Sequence, residues 1–487
     1  MKFRIFTLLV LTCLFTSCIT DLDELDERAQ QFAKSDGSIN KNELEQLKQQ
    51  LATSDDRDIK SKFYTNNAVD EAKLRRHLLG KGFKVEREKV LGAKNTSINV
   101  YIENSGSMNG YIDGNTEFKA AVSNLLVDLN YTYNDRLHLF FINSDIHPIE
   151  SSNGLPAFVN RLDRSNFKVG NTVNSDLNNI FKQVLGKTTK NTISILISDC
   201  IYSIHGVKTD ELLGYQKSLT KEAFLTKSKE HIKLNTTIVK LQSLFNGRYY
   251  DKNDAPTDLK NKLRPYYITV VGSEESMDFF NSKIKFTPQG IRGYDNKYIM
   301  SLKDFSKDNF YSIISTNSDL GRYRPSRQAS NQQPVTSIED AETDSRNGDR
   351  FVFSLAIDMS NIPTEEGYNL NPANYTISDG DYKILSIKKF DKREVKPSSV
   401  VAMQNANAHP TNYIVFESTS NKPTDLTFSL KRQIPKWVYD TNTIDDTNIT
   451  SNTNKTFGFQ YLVEGISDAY TTISGVDNYF EIKLKIN

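Results

Sequence analysis

The chain has 487 residues, with 61 basic and 60 acidic side chains and a formal net charge of +1. This balance excludes the strong positive charge on which nucleic-acid binding depends, so we expect no nucleic acid among the partners. The length is sufficient for two or three hydrophobic cores, and the three cysteines are too few for a disulfide framework.

The amino terminus has the features of an export signal. Residues 1–4 give a basic start, and residues 5–16 form an apolar run that is too short to span a bilayer as a stable helix. Small residues then lead to Cys18, in a pattern that resembles a bacterial lipobox. The resemblance implies a signal peptide over residues 1–17 and a lipid (palmitate) on Cys18. The alternative is plain secretion, with Cys18 present by chance.

A lipid on Cys18 would place the protein in the bacterial cell envelope, anchored in the outer membrane. No later apolar run is long enough to span a membrane, so we expect this lipid to be the sole anchor. Cys200 would then be the remaining thiol of the mature chain, and we expect no internal disulfide.

Residues 18–82 are predicted to form an acidic tether and a helical stalk. Five acids lie between Asp21 and Glu27, and acidic tethers of this kind look like surface-sorting signals in some outer-membrane lipoproteins. The alternative is a solvated helix start, since acids favour the first turn of a helix. Further along, Asn40-x-x-Glu43 is a capping box before leucines at helical spacing.

The most informative motif follows a predicted strand over residues 97–102. Glu103, Ser105 and Ser107 alternate along the turn that ends this strand, so their oxygens can converge on one point. An amphipathic helix is predicted next, with apolar positions at Phe118, Val122, Leu125, Leu126 and Leu129. Open α/β sheets usually bind ligands where a strand leads into a helix, and hard divalent cations prefer oxygen ligands.

Two later segments add oxygens to this pattern. Thr172 precedes a second helical pattern, and Asp199 ends a buried strand predicted over residues 193–198. The combination of acid-x-Ser-x-Ser, a distal Thr and a distal Asp resembles the von Willebrand factor A (vWA) domain. In that family, a metal-ion-dependent adhesion site (MIDAS) uses Asp-x-Ser-x-Ser together with a distal Thr and Asp.

The resemblance implies a role for each residue. Ser105, Ser107 and Thr172 would bind one Mg²⁺ or Mn²⁺ directly, and Glu103 and Asp199 would act mainly through waters. The chain departs from the family at Glu103, which is one methylene longer than the family's Asp. Glu103 could hold a water, bind the metal directly or leave the site empty. Without a metal, the serines would only cap a turn and Asp199 would cap the next helix.

The vWA-like domain is predicted over residues 83–286, as an α/β fold with a doubly wound, mostly parallel sheet. Further strands are expected near residues 137–142, 236–242 and 266–272. The chain between Asp199 and the last of these strands is longer than a minimal connection. Inserted elements near a ligand edge usually shape partner choice, although this insertion could simply extend the sheet.

The carboxy-terminal half has a different pattern. Residues 287–350 are predicted to be a connector and linker, because residues 320–350 are poor in apolar side chains. In residues 351–487, short runs of alternating apolar residues are typical of an antiparallel β-sandwich. The run at residues 457–463 is included among these predicted strands.

Three classes of function remain open. The first is adhesion, in which a lipoprotein captures an acidic group of a protein or glycan partner through the metal site. The second is a metal-independent architectural subunit of an envelope assembly. The third, ranked last, is a metal-dependent hydrolase that uses Asp199 or Cys200.

The sequence gives little support for catalysis, so we expect a protein that is not an enzyme. It contains no Gly-x-Ser-x-Gly and no His-Glu-x-x-His motif. The carboxylate of Asp199 does not favour a thiolate on the adjacent Cys200. His147 and His205 could lie near the ligand edge of the sheet, but surface positions are the more common interpretation.

Overall fold

The computed structural model describes residues 21–34, 37–65, 68–85, 95–149, 158, 162–173, 175–204, 208–303, 305, 310–326, 334–364 and 367–487. The predicted signal peptide, Cys18 and His205 lie outside the described residues. Within these ranges, none of the helices has the length and apolarity that a membrane crossing requires.

The α-helices of the described residues are numbered in chain order: α1 Asp21–Phe32, α2 Lys41–Thr53, α3 Arg57–Phe63, α4 Glu71–Gly80, α5 Glu117–Tyr133, α6 Leu177–Lys187, α7 Thr209–Ser228, α8 Glu274–Lys283, α9 Pro397–Asn405, α10 Lys436–Thr441 and α11 Phe459–Ser474. The strands before the midpoint of the chain are β1 Ser38–Ile39, β2 Tyr64–Thr65, β3 Ala68–Val69, β4 Lys84–Val85, β5 Ser97–Glu103, β6 Leu137–Ile142, β7 Ile146–Pro148, β8 Thr192–Ser198 and β9 Leu234–Tyr250. The later strands are β10 Pro256–Ser273, β11 Tyr294–Ser301, β12 Tyr311–Ile314, β13 Arg322–Pro325, β14 Ser337–Glu342, β15 Val352–Ile357, β16 Tyr375–Asp379, β17 Tyr382–Lys389, β18 Asn412–Ser418, β19 Leu426–Lys431, β20 Asn442–Thr443, β21 Thr456–Phe457 and β22 Asn478–Ile486.

Helices α1 to α4 share a small hydrophobic core of their own. The predicted capping box of α2 is confirmed: the Asn40 side chain accepts from the Glu43 backbone N–H at 3.0 Å, and Glu43 Oε2 accepts from the Asn40 N–H at 2.8 Å. This helical unit contacts the rest of the protein through Arg75 of α4, whose guanidinium lies 4.6 Å from the ring centroid of Tyr131 in α5.

The central sheet has seven strands in the order β11-β9-β10-β8-β5-β6-β7. Strand β5 is parallel to both of its neighbours, β6 on one side and β8 on the other. All other neighbouring strands of this sheet are antiparallel. The α/β class is therefore confirmed, but the prediction of a mostly parallel sheet is wrong. The sheet is mixed because the long hairpin β9–β10 and then β11 extend it in the antiparallel sense.

Helices cover both faces of this sheet. Strand β8 carries Ile193, Ile195 and Ile197 toward the core that contains α5 and α8. Its alternate residue Leu196 faces a second core that contains α6, α7 and α11. Because both faces are buried, the strand is almost continuously apolar, as its sequence predicts.

The carboxy-terminal half contains two further sheets, ordered β12-β15-β18-β17 and β13-β14-β22-β19-β16. Their facing side chains share one core, which includes Phe353, Leu355, Phe416, Phe428, Leu430, Phe480, Ile482 and Leu484. Strands β11 to β14 lie within the predicted connector at residues 287–350, so this stretch takes part in sheets.

Between β19 and β22 the chain leaves these sheets and packs against the central one. Helix α11 inserts Phe459, Leu462 and Ile466 into the second core of the central sheet. The strand predicted at residues 457–463 is therefore wrong beyond Phe457, because α11 begins at Phe459. A short apolar run does not distinguish a strand from a buried helix.

Candidate functional site

The candidate site lies at the carboxyl ends of β5 and β8, which are adjacent parallel strands. Ile102 of β5 is in register with Ile197 of β8, so the residues that follow leave the sheet side by side. Glu103 is the last residue of β5, and Asp199 directly follows β8. A 3-10 helix, Gly106–Tyr111, continues from the turn at Ser105.

Ser105, Ser107 and Asp199 come together at this edge. The Oγ atoms of Ser105 and Ser107 are 3.0 Å apart, and the Ser107 side chain is close enough to the Asp199 carboxyl to lower its pKa. The backbone N–H of Ile201 also donates to Asp199 Oδ1, at 3.3 Å. Ser105 and Asp199 are buried, whereas Ser107 is half-buried. The structure thus brings together three of the five side chains that the sequence assigned to the metal.

Glu103 has partners that sequence reasoning missed. Its Oε1 accepts from the Ser175 hydroxyl at 2.7 Å, and its Oε2 accepts from the Ser198 hydroxyl. Ser198 in turn accepts from the backbone N–H of Cys200 at 2.8 Å. Side chains alternate along a strand, so Glu103 and Ser198 face one side of the sheet, and a continued alternation places Asp199, the first residue beyond β8, toward the other. The position of Ser198 directly before Asp199 is the sequence feature that could have identified Ser198 as a residue of the site.

Thr172 lies at the site through its backbone. Its carbonyl oxygen accepts from the Gly106 N–H at 2.9 Å, which joins the loop of Thr172 to the turn between Ser105 and Ser107. A Cβ at Gly106 would lie 3.5 Å from the same carbonyl oxygen. The coordination of a metal by the Thr172 hydroxyl remains a prediction.

Two asparagines that the sequence analysis did not select hold this loop. Asn104 Nδ2 donates to the carbonyl of Val169 at 2.8 Å, and Asn143 Nδ2 donates both to Asn104 Oδ1 at 2.9 Å and to Val169 at 2.8 Å. His147 Nε2 lies 3.4 Å from Asn143 Oδ1, so this histidine is near the ligand edge. Each asparagine directly follows a strand of the parallel pair β5–β6, and this position at the ligand edge is the sequence feature that could have identified both residues.

Burial and the nearby charge of Glu103 raise the pKa of Asp199 to about 7. A buried acid next to another acid is unfavourable when both are charged, and a bound cation would remove that penalty. Burial also raises the pKa of the adjacent Cys200 thiol well above its ordinary value. Cys200 therefore lacks the accessible thiolate that a nucleophile needs.

The donor set fits a hard divalent cation. Mg²⁺ is usually bound through one or two carboxylates and several waters, and Ser105, Ser107 and Asp199 offer two neutral oxygens and one acid. In the described part of the chain, no group of three or more His, Cys, Asp or Glu side chains is placed to hold a metal. A soft or histidine-dependent metal therefore has less support here than Mg²⁺ or Mn²⁺.

The fold and the site together define an α/β protein with a mixed seven-strand sheet, in which serines and acids gather at the end of a parallel strand pair. In comparisons with known proteins, no family model, no curated protein and no solved structure matches this chain.

Proposed function

We propose that this protein is a membrane-anchored bacterial lipoprotein that binds an acidic group of a protein or glycan partner through Mg²⁺ or Mn²⁺ in a vWA-type site. The observation that carries the proposal is the Ser105–Ser107 hydroxyl pair, 3.0 Å apart and beside Asp199. Helices on both faces of the sheet support the vWA-type interpretation. The shared core of the two later sheets supports a β-sandwich, and helices α1 to α4 support a stalk.

In this proposal the side chains divide the work of binding. Ser105 and Ser107 supply neutral oxygens, so the cation keeps most of its positive charge and attracts an external carboxylate. Asp199 supplies the nearest negative charge, and the hydrogen bonds from Ser175 and Ser198 fix the Glu103 carboxylate behind it. A bound metal would offer an open coordination position, which the partner's acidic group completes.

The test is calorimetric titration of Mg²⁺ and Mn²⁺ into the protein, with and without acetate as a probe for the partner's carboxylate. We expect weak binding that acetate strengthens, and at least a tenfold loss of affinity in Ser107→Ala. Ser345→Ala is the matched control, because Ser345 is an exposed serine in another 3-10 helix. Equal metal affinity in Ser107→Ala and the wild type would contradict the proposed site.

The second candidate is the metal-independent architectural subunit. It is favoured by the two hydroxyl bonds of Glu103, which satisfy that carboxylate without a metal. If the wild type binds neither cation, with or without acetate, the architectural role becomes the better proposal. Both candidates include the lipid anchor, and Cys18→Ala should move the protein from the membrane fraction to the soluble fraction.

A further inference from the structure

Arg264 of β10 is a buried cation close to the candidate site. Its side chain is 1 % exposed, and none of its three guanidinium nitrogens has a hydrogen-bond acceptor among the described residues. The guanidinium lies 4.4 Å from the ring centroid of Tyr249 and 5.7 Å from that of Phe245. Aromatic faces attract such a cation, but they do not accept its N–H groups as carboxylates do.

An arginine keeps its charge inside a protein, so burial must be compensated by negative charge nearby. Two buried acids border this region. Asp446 accepts from the Tyr249 hydroxyl, and its other oxygen accepts from the Lys252 N–H at 2.9 Å. Asp199 lies toward the metal site, and the charges of Asp199 and Arg264 act on each other.

The strand register places Arg264 on the side of the sheet that Asp199 faces. Strands β8 and β10 are antiparallel, with Ser198 opposite Tyr267, so Arg264 lies beyond the end of β8, where Asp199 follows. Arg264 shares a face with Tyr266, and Asp199 shares one with Ile197. Tyr266 and Ile197 belong to the same core, so the two charged residues are on one face.

The segment that carries Ser107 also contacts this part of β10. Tyr111, at the end of the same 3-10 helix as Ser107, donates from its hydroxyl to the Pro265 carbonyl at 2.5 Å. The Phe245 ring fills the space beside Gly110, where a Cβ would lie 2.3 Å from the nearest ring atom. The hairpin β9–β10 is therefore packed directly onto the metal-binding turn, with Arg264 inside the contact.

We propose that Arg264 is a built-in cation of the candidate site, which lowers its affinity for a divalent metal and raises its affinity for the acidic partner. This inference rests on the proposed function. It adds a residue that determines how strongly the site binds the metal relative to the acidic group of the partner. The reason is Coulombic: one fixed positive charge repels Mg²⁺ and attracts a carboxylate, and screening is weak in a buried region.

The test is Arg264→Met, which keeps an unbranched apolar stem and removes the charge. Calorimetry should show Mg²⁺ binding at least about tenfold tighter than in the wild type. Acetate binding to the Mg²⁺-saturated protein should become weaker. Structural damage would lower both affinities, whereas loss of a positive charge changes them in opposite directions. Arg248→Met is the matched control, because Arg248 is an exposed arginine on the same hairpin.

The outcomes separate this inference from the proposed function. If the wild type binds Mg²⁺ and Arg264→Met binds it equally or more weakly, the role of Arg264 is overturned and the proposed function stands. If only Arg264→Met binds Mg²⁺, the role of Arg264 is supported and the proposed function fails. No binding to either protein overturns both.

A charge-retaining variant keeps the inference testable if Arg264→Met does not fold. Arg264→Lys should bind Mg²⁺ within about threefold of the wild type. The NMR spectrum of ¹⁵N-arginine-labelled Arg264→Lys lacks one Nε signal of the labelled wild type, and that missing signal is assigned to Arg264. That signal should shift as Mg²⁺ saturates the site. An Arg264 signal that is unchanged at saturating Mg²⁺ would overturn the proposal.

Discussion

The ring of Tyr267 in β10 stacks on the ring of Phe459 in α11, with centroids 4.0 Å apart and planes inclined by 16°. The Tyr267 hydroxyl is also 2.9 Å from Thr456 Oγ1. Thr236 of β9 makes a similar contact with the Tyr470 hydroxyl, at 2.8 Å. The late helix α11 is thus part of the core of the central sheet, so the two halves of the chain should unfold together.

Phe459→Ala should destabilise the whole protein by about 3–5 kcal/mol, because it removes a buried ring and leaves a cavity. Urea unfolding can be followed by the single tryptophan, Trp437, whose ring centroid is 5.9 Å from that of Phe459. Tyr215→Ala is the control, since this tyrosine is 61 % exposed and its loss should cost less than about 0.5 kcal/mol. Similar losses in the two variants would argue against a shared core.

Gly110→Ala should lower stability by about 1–3 kcal/mol and weaken the proposed Mg²⁺ binding, because the new methyl group would overlap the Phe245 ring and displace the turn that carries Ser105 and Ser107. Thermal unfolding and calorimetry measure the two effects. Gly186→Ala in α6 is the matched control, since nothing lies within 4 Å of its Cβ position and alanine favours a helix. A neutral Gly110→Ala would show that the hairpin does not constrain the site.

Asp199 should make the metal-free protein less stable as pH rises. Its pKa is raised from 3.8 to about 7, first by burial and then by the charge of Glu103. Between these values the folded state holds a proton that the unfolded state has released, so stability falls with increasing pH. We expect the stability of the wild type relative to Asp199→Asn to decrease between pH 4.5 and 8, measured by urea unfolding in EDTA.

Asp445→Asn provides the control for this pH experiment. Hydrogen bonds from Thr447 lower the pKa of the exposed Asp445, so it is ionised in both the folded and the unfolded state over most of that interval. The difference in unfolding free energy between Asp445→Asn and the wild type should stay nearly constant over this pH interval. If the stability difference between Asp199→Asn and the wild type is also constant with pH, the pKa of Asp199 is not raised in the folded protein.

The Cys200 thiol should not react with a thiol reagent such as dithionitrobenzoate while the protein is folded. Its side chain is 0 % exposed, and burial raises its pKa. In denaturant the same thiol should react at the rate of an ordinary cysteine. A rapid reaction of the native protein at pH 8 would show that this end of β8 opens, and it would restore a nucleophilic role to consideration.

Local sequence patterns predicted the elements around the site well. Strands β5, β6 and β8 were predicted from short apolar runs and helices α5 and α6 from helical periodicity, and the structure has each of them. Ser105 and Ser107 were predicted to converge because they alternate along one turn, and Asp199 was predicted to join them because of the resemblance to the vWA family. The structure brings Ser105, Ser107 and Asp199 together at the ends of β5 and β8.

Other features depend on tertiary contacts that no local pattern encodes. The direction of β10 is set by its pairing with β8 and that of β9 by its pairing with β10, and their own residues would suit a parallel sheet equally well. Arg264 follows Lys260 and Lys262, which are exposed, so the segment has the pattern of a solvated edge. Only the packing of Tyr249 and Phe245 over its guanidinium reveals that this one charge is buried.

The late position of α11 also has a consequence for biogenesis. The contacts of Tyr267 with Thr456, which is 189 residues further along the chain, and with α11 cannot form until those later residues have been synthesised. While the chain emerges from the ribosome, the face of the central sheet that α6, α7 and α11 cover together therefore stays incompletely covered until nearly all of the polypeptide has appeared. For the exported lipoprotein proposed above, which would have to stay unfolded during translocation, this delay would keep the central sheet from completing its core too early.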